Sequence, residues 1–463
     1  MALPDLIEIV PLKGPVRAEI TVPGSKSITN RALILAALAE GEVTLKGALW
    51  SEDTQIMAEA LKKLGFEIRI EPDPGEFCNR TITVKGLGGK IPNGGTTQKP
   101  MELFVGNAGT AARFLAAFVC LGEGIYHLSG VPRMYERPQS ALFKALRELG
   151  YRVETVFGND RLPASIEGSG PSPGGTCKVS IEKSSQFASA LLLCAKTGEW
   201  DVKVVGENAD ESPYVAMTSK MMEVFPHQGG TFQVEPDASS GSYFWAAGWL
   251  RQKVDSQWVE DALKQAGQVS RIEIKPFAQS NVVVSMWPSS RLQMDQDFTA
   301  FIRPFSRAVP AEISRTHDLA DSIMTAIVVA PFNGAGNIVK FTDLGRLRVQ
   351  ECERVQALRT ELTKCGAKVV EEGDTLTVFP SELHGAEIET YDDHRMAMCF
   401  AILGLKVPGI KIKNPACVKK TFPNFFQKLA TAPPRGLGAT ILDASGRKLE
   451  WDDLFAEDAT ADE

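Results

Sequence analysis

The sequence predicts an α/β protein built by internal duplication, and two observations carry that prediction. One phrase, an amphipathic helix that stops at Leu-Gly or a similar step and runs into a short alternating strand, recurs along the chain. It reads AEALKKLGFEIRI (58–70), FKALRELGYRVETV (143–156), EDALKQAGQVSRIEI (260–274) and RTELTKCGAKVVEE (359–372), with a degraded copy, SKMMEVFPHQGGTFQV, at 219–234. A second, more apolar helix series alternates with it: ITNRALILAALAEG (28–41), TAARFLAAFVCLG (110–122), SSQFASALLLCAKTG (184–198), SSGSYFWAAGWL (239–250), DSIMTAIVVAPF (321–332) and HRMAMCFAILGL (394–405). A repeat of about 80–100 residues is too long for a solenoid, so each copy is read as a small βα subdomain.

Each signal has a local cause. In the clear copies of the first phrase a glycine ends the helix, because the left-handed closing residue carries no penalty without a Cβ. The strand then alternates, as at Phe66, Ile68 and Ile70. The second series is apolar nearly all round, as helices buried on every side are. Each member opens at a polar or glycine-rich turn. Packed in parallel, their N-termini gather on one side and present free N–H groups and positive dipole ends, suited to phosphates and carboxylates. The stretch PGSKSITNRALILAAL (23–38) shows this best. Pro23, Gly24 and Ser25 break the preceding strand, Ser25 or Ser27 is expected to cap the helix, and Gly41 to end it. Lys26 and Arg31 sit where cations oppose the helix dipole, a placement that an anion held between them explains.

Composition narrows the function. The 463 residues allow two or three domains, and 44% hydrophobic with 23% charged residues is ordinary for a globular chain. A formal net charge of -7 argues against nucleic acid or an anionic membrane as partner. An anionic substrate therefore needs a local cluster of cations. The eight cysteines show no CxxC pair or zinc spacing, and Cys120, Cys194 and Cys399 lie in apolar runs, so free buried thiols are expected. MALPDLIEIV lacks the features of a signal peptide and no run has the length of a membrane span, which predicts a cytoplasmic protein. Residues 71–100 and 157–176 read as surface excursions, 275–315 reads poorly as repeat structure, and 435–463 reads as an acidic, poorly ordered C-terminal tail.

The motifs PGSKSITNRAL (23–33), GNAGTAAR (106–113), PRMYERP (132–138), SSQF (184–187), DASSGSYF (237–244), RVQECER (348–354), DDHRMAMCFA (392–401) and KTFPNFF (420–426) occur in that order. As a set they resemble the 5-enolpyruvylshikimate-3-phosphate synthase family over about residues 10–430, most weakly over 251–316. The resemblance implies a two-domain inside-out α/β barrel with three βαβαββ repeats in each lobe, around buried parallel helices. One lobe would be 24–236. The other would combine 1–23 with 237–434, with crossovers near Pro23 and Asp237. It implies transfer of the enolpyruvyl group of phosphoenolpyruvate to the 5-hydroxyl of shikimate 3-phosphate with release of phosphate, in the shikimate pathway, by a monomer that needs no metal or organic cofactor.

Residue by residue, the resemblance implies three catalytic groups: Lys26 as proton donor, Asp321 as base in contact with the ring hydroxyls, and Glu351 near the carbon that gains and loses a proton. It assigns Lys26, Ser27, Arg31, Ser184, Ser185, Tyr214, Asp321, Arg346 and Gln350 to shikimate 3-phosphate. It assigns Lys26, Asn107, Gly109, Arg137, Gln186, Arg354, Arg395 and Lys420 to phosphoenolpyruvate. Read without the resemblance, Ser184, Ser185 and Asp321 could be plain helix caps, and Glu351 with Arg354 a surface pair on one helix face. Pro138 is expected at the first position of the helix that follows Arg137. Arg113 reads as a structural pair, His394 as an orienting or simply satisfied histidine, and Lys419 as solvated. There are departures from the family pattern. Gln350 stands where lysine is common, Arg346 where asparagine is frequent, Glu211 at an expected serine, and Phe114 at an expected proline. Gln350 brings no charge, and Arg346 is expected to restore it from one turn away. Phe114 is expected to bear on Gly109 and so on glyphosate, the family's inhibitor at the phosphoenolpyruvate site. The related transferase acting on UDP-N-acetylglucosamine uses a loop cysteine as donor, whereas Cys120 lies in an apolar helix and 122–133 contain none. A non-catalytic relative would not need Lys26, Asp321 and Glu351 together.

Overall fold

The structure, a computed structural model, describes residues 3–14, 16–206, 212–251, 282–302, 311–334 and 336–456. Glu211 and the repeat copy at 260–274 lie outside them. The apolar series forms helices Lys26–Leu38, Gly109–Phe118, Gln186–Gly198, Ala238–Leu250, Ile323–Val329 and His394–Gly404. Every residue of Gly109–Phe118 and of His394–Gly404 is buried, as all-round apolar patterning requires. The first three of these helices pack on one another, and so do the last three. Each trio is the centre of one hydrophobic core: one cluster gathers residues between 28 and 234 plus Leu292, the other residues 3–22 and those from Tyr243 onward.

Amphipathic helices Glu52–Lys63, Ser140–Glu148 and Arg354–Lys364 lie outside these trios. Gly65, Gly150 and Gly366 follow them with φ of +97°, +95° and +91°, the conformation for which the Leu-Gly step was read. Strands Ile68–Pro72, Arg152–Thr155 and Val369–Glu372 come next, and the degraded copy gives helix Pro213–Val224 and strand Gly230–Gln233.

Among the described residues the four four-stranded sheets share one pattern of pairing, parallel, antiparallel, antiparallel. In three of them the last position is the strand after an amphipathic helix, namely Ile68–Pro72, Arg152–Thr155 and Val369–Glu372. In the fourth it is Ile441–Asp443, laid antiparallel on Leu6–Ile9. The C-terminal tail is thus corrected: through Ala456 it is a working part of the second core, with Leu437, Ile441, Leu449 and Leu454 buried in it. Its acidic composition concealed a short strand whose apolar residues are too few to show a period.

The supposed excursions also carry core strands. Asn79–Lys85 sits inside its sheet and Ala164–Ser169 inside another. Buried Glu76 accepts hydrogen bonds from Thr21 (2.5 Å), Asn424 (2.8 Å) and Lys428 (2.6 Å), so this loop ties the two cores together. Phe77 meets Phe455 edge-on at 5.3 Å beside it. The crossovers pair with each other: Ser25 N–H donates to the Glu235 carbonyl and Asp237 N–H to that of Pro23, both at 2.8 Å.

Three local readings change. Ser25 is the residue before the first helix, but its side chain makes no capping bond. Pro138 stands two residues before helix Ser140–Glu148 rather than at its first position. Glu351 lies in the bend before helix Arg354–Lys364, so its pair with Arg354 is not a helix-face pair.

Candidate active site

The N-terminal turns of the buried helices converge. Lys26 and Ser27, Thr110, Ser184 to Gln186, Asp321, and His394 with Arg395 line one cavity of about 100 Å³. Arg137, Tyr214, Arg346, Gln350, Glu351 and Arg354 complete the sequence-derived set along it. A smaller cavity of about 30 Å³ shares Lys26, Ser27, Tyr214 and Arg395 and adds Ser239 and Asp295. The gathering of helix ends inferred from the sequence is therefore real, and it spans both cores.

Four expected residues stand one layer back. Arg31 donates to Thr218 (2.7 Å), Ser189 (2.9 Å), and the carbonyls of Ser27 (2.9 Å) and Tyr214 (3.3 Å). Its guanidinium lies 5.2 Å from the centre of the Phe114 ring and 5.9 Å from that of Tyr214. Phe114 therefore bears directly on Arg31. Asn107 offers its carbonyl to Arg137 (2.9 Å) and, across the cleft, to Lys420 (3.3 Å). A Cβ on Gly109 would fall 2.3 Å from Arg113 and 2.5 Å from Arg137 nitrogens, so only glycine lets these cations sit at the helix end. Lys420 pairs with Glu351 at 3.2 Å.

The arginines divide by partner. On the first core's wall they meet neutral oxygens: Arg113, for example, donates to Gln186 (3.1 Å) and the Pro138 carbonyl (3.0 Å). Burial lowers Arg31 to about 10. Burial, with Arg137 nearby, also holds Arg113 well below its usual value. On the second core's wall Arg315, Arg354 and Arg395 meet carboxylates, while Arg346 donates to the Ile181 carbonyl. Arg354 binds Asp393 (2.6 Å) and Glu351 (2.9 Å), and also donates to Gln350. Asp321 is held by Arg315 (2.8 Å) and Arg395 (3.1 Å). Burial works to raise both active-site carboxyls. Arg395 and Arg315 nevertheless hold Asp321 below the ordinary range, and Lys420, Arg354 and Arg137 do so for Glu351. The buried His394 imidazole, pushed down by desolvation and by Lys26, is neutral, and neither ring nitrogen has a hydrogen-bond partner.

The structure adds groups the motifs did not single out. Asp53, at the start of helix Glu52–Lys63, pairs with Lys26 at 3.1 Å; an acid in a first helical turn was the available signal. Arg113, read as structural, lines the cavity, as does Arg315. Cross-cleft bonds include Arg346 to the Ile181 carbonyl (2.9 Å) and Arg133 to the Gln350 carbonyl (3.1 Å). Among the described residues no cluster of metal-ligating side chains occurs, and no helix is long and apolar enough to cross a membrane.

Fold and site together define a two-lobed α/β protein whose cleft gathers cations and carboxylates where the buried helices begin. Comparison with known proteins gives the family. Residues 11–228 and 224–429 match the family described as EPSP synthase (3-phosphoshikimate 1-carboxyvinyltransferase), and the chain belongs to it. It is 37% identical over 450 residues to the 3-phosphoshikimate 1-carboxyvinyltransferase of Trichormus variabilis, covering 92% of this chain and 98% of that one. It is 35% identical over 469 residues to the enzyme of the same name from Opitutus terrae, covering 94% and 100%. The solved EPSP synthase of Acinetobacter baumannii superposes with a TM-score of 0.63 at 22% identity, over 95% of this chain and 100% of that one. The enolpyruvyl transferase NikO of Streptomyces tendae gives 0.58 at 14% identity, over 95% and 99%.

Proposed function

We propose that this protein transfers the enolpyruvyl group of phosphoenolpyruvate to the 5-hydroxyl of shikimate 3-phosphate, releasing phosphate. The observation that carries the reading is one cavity, where buried helices begin, in which cations from both lobes bracket two ionised carboxylates, Asp321 and Glu351. In this reading the 5-hydroxyl adds to C2 while C3 is protonated; phosphate then leaves as C3 gives up a proton. Lys26, oriented by Asp53, is the donor. Asp321 takes the hydroxyl proton. Glu351 stands at C3, its charge tuned by Lys420 and Arg354. Arg137, Gln186, Arg354, Arg395 and Lys420 take phosphoenolpyruvate, with Asn107 and Gly109 shaping their approach. Ser27, its carbonyl held by Arg31, takes the ring carboxylate; Ser184, Ser185 and Tyr214 face the phosphorylated ring, with Arg346 and Gln350 opposite.

The three-repeat lobes then form an inside-out barrel, the paired crossovers at 23–25 and 235–237 act as the hinge, and the protein works as a monomer. Purified protein given both substrates should release phosphate and form the enol ether, and Lys26→Met should abolish both. No release under any condition would remove the reading.

A further inference from the structure

Arg315 belongs to no motif noted in the sequence, yet it lines the main cavity at 4% exposure. One terminal nitrogen donates to Asp321 Oδ1 at 2.8 Å, and its Nε is buried without a hydrogen-bond partner. Arg346 lines the same cavity and reaches across the cleft to the Ile181 carbonyl (2.9 Å), which places it at the loop carrying Ser184 and Ser185. The two guanidiniums feel each other: burial and then the charge of Arg315 lower Arg346. The carboxylate beside them, Asp321, is already shared with Arg395 at 3.1 Å. Asp295 stands behind it, engaged with Ser239 and Ser322, and feels both Asp321 and Arg395. Arg315 and Arg346 thus crowd together beside a carboxylate already shared with Arg395, where uncompensated charge is costly. A doubly charged anion between Arg315 and Arg346 removes the excess, and the planar fork of arginine suits a phosphate.

Of the cations assigned above to phosphoenolpyruvate, Arg137, Arg354 and Lys420 cluster around Asn107 and Glu351, and Arg395 reaches the other oxygen of Asp321. The Arg315–Arg346 pair stands instead with the Ser184 loop. Resting on the function proposed above, we propose that Arg315 is a further binding residue for the ring phosphate of shikimate 3-phosphate, closing on it with Arg346 opposite Ser184 and Ser185, and that its ion pair positions Asp321. Gln350 lines the same cavity and is neutral, so the cationic grip on this substrate comes from the strand-end turn at 314–316 rather than from position 350.

The test compares binding of shikimate 3-phosphate with binding of unphosphorylated shikimate by calorimetry, in wild type, Arg315→Gln, Arg315→Lys and Arg315→Gln/Gln350→Lys. Arg315→Gln should shrink the preference for the phosphorylated ring by about tenfold or more. It should raise KM for shikimate 3-phosphate while leaving KM for phosphoenolpyruvate within about twofold. Arg315→Lys, the safer variant for folding, should fall between. Lysine at position 350 should restore much of the lost preference by returning a cation to the cavity. An unchanged preference, equal rises in both KM values, or failure of the double variant to recover would overturn the proposal. Turnover by the wild type tests the enzymatic reading separately, so an active Arg315→Gln enzyme with an intact preference sinks this inference alone.

Discussion

The two walls of the cleft solve the burial of charge in opposite ways. The first core's wall presents arginines held by hydroxyls and carbonyls, as Arg31 is by Thr218, Ser189 and Tyr214. The second core's wall presents arginines that already neutralise Asp321, Glu351 and Asp393. Proton affinities follow the partner: burial lowers Arg31, Arg113 and also Arg346, whereas Arg354 and Arg395 overcome the same desolvation and are raised by their carboxylates. In the proposed function the first wall receives anions and the second carries the acid–base pair, with Arg346 as the second wall's cation that meets a carbonyl instead of a carboxylate. Lys26 is the crossover case, a cation on the receptor wall that Asp53 pairs and aims.

The comparison can be broken at several points. Lys26→Met should cost about 10²–10⁴-fold in kcat with folding intact, read as phosphate release, because a proton donor is lost. If kcat survives and only KM moves, Lys26 is one more receptor cation. Arg354→Met should lower unfolding free energy by about 3–5 kcal/mol in denaturant titrations, since Asp393 is left buried without its cation and Glu351 keeps Lys420 alone. Arg31→Met should lose much less stability and chiefly raise KM for the ring substrate; equal losses would erase the distinction between the walls. Gly109→Ala should raise KM for phosphoenolpyruvate by about tenfold by pushing the Arg113 and Arg137 heads aside. An unchanged KM would show that these heads yield freely.

The smallest effect is in pH. Folded Asp321 and Glu351 lie below their ordinary values of 3.8 and 4.5, so their contribution is complete above those values and is lost as pH falls below them. Between about pH 5 and about pH 3 the melting temperature of the wild type should fall more steeply than that of Asp321→Asn. Parallel curves would mean the clamp on Asp321 is loose.

Much of this was legible in the residues, for identifiable reasons. Lys26, Gln186 and Arg395 sit at the starts of helices whose all-apolar bodies announce burial, so chemistry placed there stands out. The Leu-Gly steps were readable because a positive φ leaves a glycine behind. Asp53 was harder: a first-turn acid is common, and only the fold brings Lys26 to it. Arg315 was out of reach, because the strand before it, Glu312–Ser314, has three residues and no visible period, and its role depends on the chain turning back onto Asp321. Asn79–Lys85 was hidden by the prolines and glycines around it, although Thr81 and Thr83 alternating with Ile82 and Val84 mark a strand with one buried face.

The sheet that Ile441–Asp443 completes also dictates an order of assembly. Leu6–Ile9 is made before the whole of the first core, yet its neighbours, Ile410–Lys413 and Ile441–Asp443, are made after it. Among the described residues the first core draws on nothing beyond Leu292, so it can form while synthesis continues. Chains stalled at about residue 300 should therefore protect residues 28–234 from protease and leave Leu6–Ile9 open to cleavage. Leu6–Ile9 waits while the first core is made, and the cleft, which needs Arg395 and Lys420, comes into being only after the second core's segments have followed.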